Sequence, residues 1–383
     1  MLLSKGMTDR RLPALMAIML FVPLQAFGRE PPDSPQILAD RSVIFRLRAP
    51  EADSVELKGI DRTSLEMKRG AKGVWSLTVG PMDPGLYEYS FMVDDEQMID
   101  PSNPSVKPET NPETSLLEIT TQTPLFYQWR DVPHGTVHLH EYYSKSLNRL
   151  RRMRVYTPPG YEREEGRQHY PVLYLFHGTG DTEATWTEFG RANLILDNLI
   201  AEGQAVPMLL AMPDGHADLQ EEEGDHKANF LKFAADLLGS VLPLVDGNYR
   251  TIAQAGGRAI NGLSMGGMQS LQIGINHTEL FAYVGGMSAY VPDPEDLLAR
   301  GFRNSHSNSD IKLLWMSIGK DDDLLKDAEK FRSVLRKHGY HLQWSVTEGN
   351  HEWTVWRRYL RDFASLIFRK EELSAPTGGG LKK

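Results

Sequence analysis

The clearest chemical signal in this chain is the pentapeptide Gly262-Leu263-Ser264-Met265-Gly266, which closely follows the apolar pair Ala259-Ile260. A serine flanked in this way by two glycines, directly after an apolar strand, is typical of a sharp strand–turn–helix elbow that exposes the hydroxyl. Glycines are needed because a Cβ at either position would keep the strand and the helix apart. Ser264 is therefore the candidate nucleophile.

A serine hydroxyl is a weak nucleophile at neutral pH, so it needs a base and a third group that holds the base. The candidate acid is Asp322, which lies 58 residues beyond the serine in the run 319–323, with Asp321 as the alternative. The candidate base is His351, which lies 29 residues further along the chain. Serine, acid and histidine in this order predict a catalytic triad.

Acyl chemistry on a serine also requires two backbone N–H groups that stabilise the negative charge developing on the carbonyl oxygen. We expect one from Met265, the residue after the serine. The second is expected from the loop 177–180, whose sequence is His-Gly-Thr-Gly. Within that loop Thr179 is the predicted donor and Gly180 the alternative, whereas His177 is expected to shape the loop.

Short apolar strands alternate with helical stretches from about residue 134 onward. Strands are predicted at 172–176 and 311–318, for example, and a helix at 192–200. This alternation predicts a mostly parallel sheet covered by helices on both faces, which is an α/β fold. Such sheets carry functional groups on loops at the carboxyl ends of their strands, and all three candidate triad residues follow predicted strands.

The N-terminal part has a different pattern. Runs with strand propensity, separated by turn residues at fairly regular spacing, predict a small all-β immunoglobulin-like sandwich over residues 36–104. We expect a Pro- and Thr-rich linker at 105–133, the α/β domain at 134–372 and a flexible tail at 373–383.

The composition excludes several functions. With 40% hydrophobic residues the chain can bury a large core, and its net charge of −9 without a basic stripe argues against a nucleic-acid partner. The chain has no cysteine, which excludes disulfides, a thiol nucleophile and thiolate metal sites. No metal site is predicted.

The first 28 residues predict a cleaved signal peptide. Basic residues precede an apolar run from Leu12 to Val22, and Ala26-Phe27-Gly28 forms a small-x-small cleavage site. The apolar run is too short to span a bilayer, and no other segment is expected to span one. We therefore expect a periplasmic or secreted protein.

Taken together, residues 134–370 resemble the esterase D / feruloyl esterase family of α/β-hydrolases, which also includes enterochelin esterases and mycolyltransferases. The stretches that carry the resemblance are Arg154-Val155-Tyr156-Thr157-Pro158-Pro159-Gly160-Tyr161, Tyr170-Pro171-Val172-Leu173-Tyr174-Leu175-Phe176-His177-Gly178, Met212-Pro213-Asp214-Gly215, Gly262-Leu263-Ser264-Met265-Gly266-Gly267 and Gly349-Asn350-His351-Glu352-Trp353. The resemblance implies an α/β-hydrolase fold and ester hydrolysis through an acyl-enzyme with no cofactor. It also implies feruloyl or acetyl groups on plant polysaccharide as substrate, so that the expected partner is a glycan-linked ester.

The N-terminal sandwich resembles the immunoglobulin-like modules of glycogen-branching and debranching enzymes. The matching stretches are Phe45-Arg46-Leu47-Arg48-Ala49-Pro50, Gly73-Val74-Trp75 and Gly85-Leu86-Tyr87-Glu88-Tyr89. Some relatives hold glucan through aromatic residues of this module, which makes Trp75, Tyr87 and Tyr89 candidates for sugar stacking. The alternative, which we favour, is that these aromatics belong to the sandwich core and its cross-strand pairs.

Three tryptophans lie near the predicted site loops. Trp186 and Trp353 are the predicted substrate-binding residues, because either indole can stack on an aromatic acyl group or a sugar. Trp356 lies one helical turn beyond Trp353, and packing around the last helix is the expected role for it.

Two other functions are compatible with the sequence. The same chemistry on another substrate would give an acyltransferase or a siderophore (enterochelin-type) esterase, although the acidic composition disfavours an anionic siderophore. A non-catalytic carbohydrate-binding protein is the second alternative, which the complete set of triad residues disfavours. The sequence predicts no particular oligomeric state.

Overall fold

The computed structural model describes residues 32–369, except for 61–63, 164–167, 218–225 and 305–306. The predicted signal peptide, residues 1–28, and the predicted tail, residues 373–383, lie outside the described residues.

The described N-terminal part is all-β. Its strands are β1 (Gln36–Ile37), β2 (Val43–Arg48), β3 (Val55–Lys58), β4 (Leu65–Glu66), β5 (Lys68–Arg69), β6 (Val74–Val79), β7 (Gly85–Val93), β8 (Glu96–Met98) and β9 (Ser115–Ile119).

The C-terminal part alternates strands and helices. Its strands are β10 (Thr136–Ser144), β11 (Arg149–Thr157), β12 (Val172–Phe176), β13 (Leu209–Pro213), β14 (Arg258–Gly262), β15 (Tyr283–Met287), β16 (Leu313–Gly319) and β17 (Leu342–Thr347). Its helices are α1 (Thr185–Glu188), α2 (Ala192–Ala201), α3 (His226–Asp236), α4 (Leu242–Asn248), α5 (Met265–Asn276), α6 (Pro294–Leu297), α7 (Ala299–Arg303), α8 (Ser307–Asp310), α9 (Leu325–Lys337) and α10 (Trp353–Ala364).

Two antiparallel sheets form the N-terminal sandwich. One has the strand order β1-β2-β6-β5 and the other the order β4-β3-β7-β8, with β9 also paired to β7. Along β2 the side chains of Val43, Phe45 and Leu47 are buried while the residues between them are more exposed, as expected for a strand with one face on a core. This confirms the predicted all-β sandwich. Strand β9, however, lies inside the segment predicted as a linker.

A single eight-stranded sheet organises the C-terminal part, with the order β10-β11-β13-β12-β14-β15-β16-β17. Strand β11 pairs antiparallel with both of its neighbours, β10 and β13. The remaining neighbours in this order pair parallel. Alternate residues of β12 belong to different hydrophobic clusters: Tyr174 and Phe176 to one, Leu173 and Leu175 to the other. Since successive side chains of a strand point to opposite faces, both faces are covered, as in the predicted α/β-hydrolase fold.

The sandwich and the α/β domain share apolar contacts. Leu86 of β7 and Leu116 of β9 belong to the hydrophobic cluster that contains Trp186 and Phe189 of the α/β domain. Within the sandwich, Trp75 and Tyr89 are buried in its core. The favoured interpretation of these two aromatics as core residues therefore agrees with the structure.

One helical stretch in the described part of the chain, Lys227–Asn248, is long and apolar enough to cross a membrane. Its residues Phe230, Phe233, Leu237 and Val241 are fully buried in the core on one face of the large sheet. The core helix of a globular protein can also be this long and this apolar. The burial of these four side chains is what is expected of such a core helix.

Candidate active site

Ser264 occupies the turn between β14 and α5 in a backbone conformation that few residues adopt, with φ 50° and ψ −118°. The strain of such a conformation persists only where the surroundings enforce it. The Ser264 N–H donates to the Met287 carbonyl at 2.9 Å, which fixes the turn against β15. A Cβ at Gly262 would lie 2.5 Å from the Gly266 carbonyl oxygen, so the elbow requires glycine there. The predicted elbow is present.

The three candidate triad residues meet at the carboxyl edge of the parallel strands. His351, between β17 and α10, places Nε2 3.0 Å from the Ser264 Oγ. Its Nδ1 lies 3.0 Å from Oδ2 and 3.2 Å from Oδ1 of Asp322, which follows β16. Asp321, the alternative acid, is exposed, and the carboxylate within hydrogen-bonding distance of the His351 ring is that of Asp322. A continuous hydrogen-bonded chain thus joins carboxylate, imidazole and hydroxyl.

The Asp322 carboxylate is buried, and three donors surround it. Burial alone would raise its pKa, but the hydrogen bond from His351 lowers it, and so do those from the Leu324 N–H and the Ser288 hydroxyl. The net result is a pKa below the ordinary value for aspartate. An ionised carboxylate at this position holds the Nδ1–H tautomer of His351, which leaves Nε2 free to accept the serine proton.

The backbone donors predicted for the oxyanion lie beside the nucleophile. Met265 is the first residue of α5, so its N–H has no acceptor within the helix. Thr179 lines the cleft that contains Ser264. A Cβ built on the neighbouring Gly178 would lie 3.5 Å from the Ser264 Cβ, which places this loop directly against the elbow.

His177 shapes the loop 177–181, which carries the predicted oxyanion donor Thr179 and is called the oxyanion loop. The Gly215 N–H donates to its Nε2 at 2.7 Å, so Nδ1 carries the proton and donates to the Gly178 carbonyl at 2.8 Å. In a trans peptide the carbonyl and the following N–H point in opposite directions. Fixing the Gly178 carbonyl therefore fixes the direction of the Thr179 N–H.

A cleft of about 420 Å³ opens over Ser264 and His351. Trp353 and Trp356 line it, so of the two predicted substrate-binding residues Trp353 faces the cleft. Trp186 does not: it is buried, donates its indole N–H to the Phe176 carbonyl at 2.9 Å and packs edge to face on Trp353. The prediction for Trp186 is corrected, because this residue supports the cleft wall from beneath.

The cleft is also lined by residues that sequence reasoning did not single out. Glu88 of β7, together with Lys107 and Glu109 from the segment between β8 and β9, lines the cleft beside Asp181. Lys107 lies 3.0 Å from Glu88 and 2.8 Å from Glu109. Burial raises the pKa of Asp181 to about 6, although the Lys107 ammonium and the hydrogen bond from the Gly178 N–H oppose this effect. No motif signals these residues, since only the packing of the two domains brings them together.

A larger surface groove of about 750 Å³ lies at the amino ends of β16 and β17. Its lining includes Lys312, Arg336 and His341. The groove lies at the edge of the sheet opposite to Ser264 and contains none of the predicted site residues.

Comparisons with known proteins agree with this architecture. A family model described as "Putative esterase" matches residues 144–365, and one for carbohydrate-binding module 48, the isoamylase N-terminal domain, matches residues 27–107. The chain is 32% identical over 342 residues to an endo-1,4-beta-xylanase/feruloyl esterase of Xylanibacter ruminicola, covering 88% of this chain and 46% of that protein. It spans less than half the length of the first curated relatives that it matches.

Solved structures of esterases have a similar fold. A ferulic acid esterase is similar with a TM-score of 0.54 and 27% identity, covering 61% of this chain and 97% of that chain. The enterobactin esterase of Shigella flexneri is similar with a TM-score of 0.60 and 18% identity, covering 85% of this chain and 92% of that chain. At that identity the second likeness concerns the fold alone.

Proposed function

The chain belongs to the esterase family of α/β-hydrolases, and from this premise we propose that it is a secreted serine esterase acting on feruloyl or acetyl esters of plant polysaccharide. The observation that carries the proposal is the hydrogen-bonded chain from Asp322 through His351 to the Ser264 hydroxyl. This arrangement has the geometry that a serine needs to become a nucleophile at neutral pH.

The first half-reaction acylates the enzyme. The Ser264 Oγ attacks the ester carbonyl carbon while its proton moves to Nε2 of His351, and the carbonyl electrons move onto the oxygen. The N–H groups of Met265 and Thr179 stabilise that oxyanion. When the tetrahedral intermediate collapses, the bond to the alcohol breaks and the leaving oxygen takes the proton from Nε2.

The second half-reaction releases the acid. A water molecule gives a proton to Nε2 of His351 and attacks the acyl carbonyl, and the Ser264 Oγ then leaves and recovers that proton. Asp322 stays ionised throughout and stabilises the imidazolium that forms twice in each turnover.

The shape and charge of the cleft support a neutral, ring-containing ester. Trp353 and Trp356 offer aromatic faces next to the nucleophile, which suits a feruloyl ring or a sugar. Among the described residues, the charged lining consists of the carboxylates of Glu88, Glu109, Asp181 and Glu352 and the ammonium group of Lys107. Such a lining repels an anionic substrate, which disfavours an iron-loaded siderophore. The names of the relatives point in the same direction.

The decisive experiment compares the purified protein with the Ser264→Ala variant. Both are incubated with methyl ferulate, feruloylated arabinoxylan fragments, acetylated xylan fragments and a siderophore trilactone, and the products are separated by chromatography. We expect release of ferulate or acetate by the wild type and a loss of about 10⁴-fold or more in the variant. Equal rates for the two proteins would refute the esterase, and preferred cleavage of the trilactone would refute the substrate class.

A further inference from the structure

The described surface of the N-terminal sandwich offers no exposed aromatic platform for a sugar. Trp75 and Tyr89 are buried, and Tyr87 is partly buried with its hydroxyl donated to the Asp83 carbonyl. Between residues 32 and 119, 61–63 aside, the exposed large apolar side chains are Ile37 and Met98. Stacking on a sugar requires an exposed aromatic face, so these side chains give no support to glycan binding by the module.

The segment between β8 and β9 of the sandwich runs along the oxyanion loop. Glu109 and Asp181 form an antiparallel bridge, and the Thr110 N–H donates to the Gly180 carbonyl at 2.8 Å. The Pro108 carbonyl accepts hydrogen bonds from the hydroxyls of Thr182 and Thr185, which follow the loop. The backbone of 108–110 is therefore joined to the loop at several adjacent points.

A largely buried charge cluster reinforces this junction. The Lys107 ammonium is 3.0 Å from Glu88 of the sandwich, 2.8 Å from Glu109 and 4.0 Å from Asp181 of the loop. It also lies 5.3 Å from the centre of the Phe189 ring. Burial alone would lower the pKa of Lys107, but its carboxylate neighbours raise it, so the side chain is charged.

Asp181 transmits this contact to the oxyanion site. Its Oδ2 accepts the Gly178 N–H at 3.3 Å, and Gly178 directly precedes the predicted oxyanion donor Thr179. Without the ammonium, the carboxylates of Glu88, Glu109 and Asp181 would face one another in a largely buried space. Their mutual repulsion would then displace the most mobile of the three side chains.

We propose that the N-terminal module is a positioning element of the active site, in which Lys107, held by Glu88 and Glu109, fixes Asp181 and thereby the oxyanion loop. Lys107 is a positioning residue and touches no reacting atom. The inference rests on the proposed esterase function.

The test uses three variants of the full-length protein with p-nitrophenyl acetate, a substrate too small to depend on the outer wall of the cleft. Lys107→Met removes the charge and keeps the stem, Lys107→Arg keeps the charge, and Lys58→Met is the matched control in an exposed ion pair of the same module. We expect kcat to fall about tenfold or more in Lys107→Met with KM within about twofold, since positioning of the transition state is lost. Lys107→Arg should recover part of kcat, and Lys58→Met should equal the wild type.

A pH profile separates positioning from simple stabilisation. The charged or titratable groups around Asp181 are His177 on its own loop, Lys107 and Glu109 on the segment, and Glu88 beyond Lys107. Because Lys107 lowers the pKa of Asp181, its removal should move the acid limb of the kcat/KM profile to higher pH. A merely structural lysine would change the melting temperature and leave this limb in place.

The outcomes are distinguishable. A folded Lys107→Met variant with wild-type kcat and an unshifted acid limb would overturn the inference while leaving the esterase intact. A wild type inactive on every ester would overturn both. If Lys107→Met does not fold, Glu109→Gln is measured instead; a several-fold loss of kcat supports the inference and an unchanged kcat contradicts it.

Discussion

The imidazole of His351 meets the indole of Trp356 edge to face, with ring centroids 4.9 Å apart and ring planes at 89°. The same indole donates its N–H to the Ser288 hydroxyl at 3.0 Å. The Ser288 hydroxyl in turn donates a hydrogen bond to the Asp322 carboxylate. Trp356 therefore supports the candidate base by direct contact and the candidate acid through Ser288.

This relationship predicts the effect of Trp356→Phe. The phenyl ring keeps an aromatic contact with His351 but cannot donate to Ser288, so the Asp322–His351 pair loses part of its support. We expect kcat to fall about fivefold, the equivalent of one hydrogen bond of roughly 1 kcal/mol. Steady-state kinetics on an aryl ester measure this effect, and Trp129→Phe, which alters an exposed indole, is the control. An unchanged kcat would show that the indole N–H is dispensable.

Asp322→Asn tests the acid. An amide in place of the carboxylate presents N–H groups to His351 or holds the wrong tautomer, so Nε2 no longer accepts the Ser264 proton. We expect kcat to fall by roughly 10³- to 10⁴-fold with the fold retained. Asp321→Asn should stay close to wild type, because that side chain is exposed. Comparable losses in both variants would contradict the assignment of Asp322 as the acid.

Gly266→Ala tests the packing at the elbow. A Cβ at this position would lie 2.4 Å from the His177 carbonyl oxygen, so the oxyanion loop must move away from the nucleophile. We expect a destabilisation of about 3 kcal/mol together with loss of activity. Gly247→Ala in α4 is the matched control: its Cβ meets no neighbour, and alanine should stabilise the helix by up to ~1 kcal/mol. Urea denaturation of both variants measures the difference, and equal stabilities would show that the elbow has room for a methyl group.

Asp181→Asn predicts a pH-dependent change in stability. The folded-state pKa of Asp181 is about 6, above the ordinary value of 3.8, so the folded protein binds this proton more tightly than the unfolded chain does. That contribution to stability is complete below about pH 4 and disappears as the pH rises through 6. Between pH 4 and 7 the wild type should therefore lose about 3 kcal/mol relative to the variant. Parallel pH dependences of the two unfolding free energies would contradict the raised pKa.

The meeting of the three candidate triad residues could be predicted from the sequence because the fold itself brings them together. Ser264, Asp322 and His351 each follow a strand of a parallel sheet, and the carboxyl ends of such strands share one edge however far apart the residues are in the chain. The elbow could be predicted for a similar reason, since the need for glycine at 262 and 266 is local.

The features that could not be predicted depend on packing between distant elements. Periodicity gives no sign that Lys107 meets Glu88 and Asp181, because each belongs to a different part of the chain. Trp186 was predicted to face the cleft since it lies near the site loops, but proximity in sequence does not determine on which side of a wall an indole packs. Strand β9 was hidden for a related reason: its five residues pair with β7 inside a Pro- and Thr-rich stretch.

The apolar cluster that the sandwich and the α/β domain share should make the two parts unfold together. Leu86 and Leu116 would be exposed to water if the two parts separated, and so would the α/β side chains that they cover. We therefore expect calorimetry to record one cooperative melting transition in place of two. By the same reasoning, exchange of the sandwich with that of another enzyme would succeed only where the replacement reproduces this contact face.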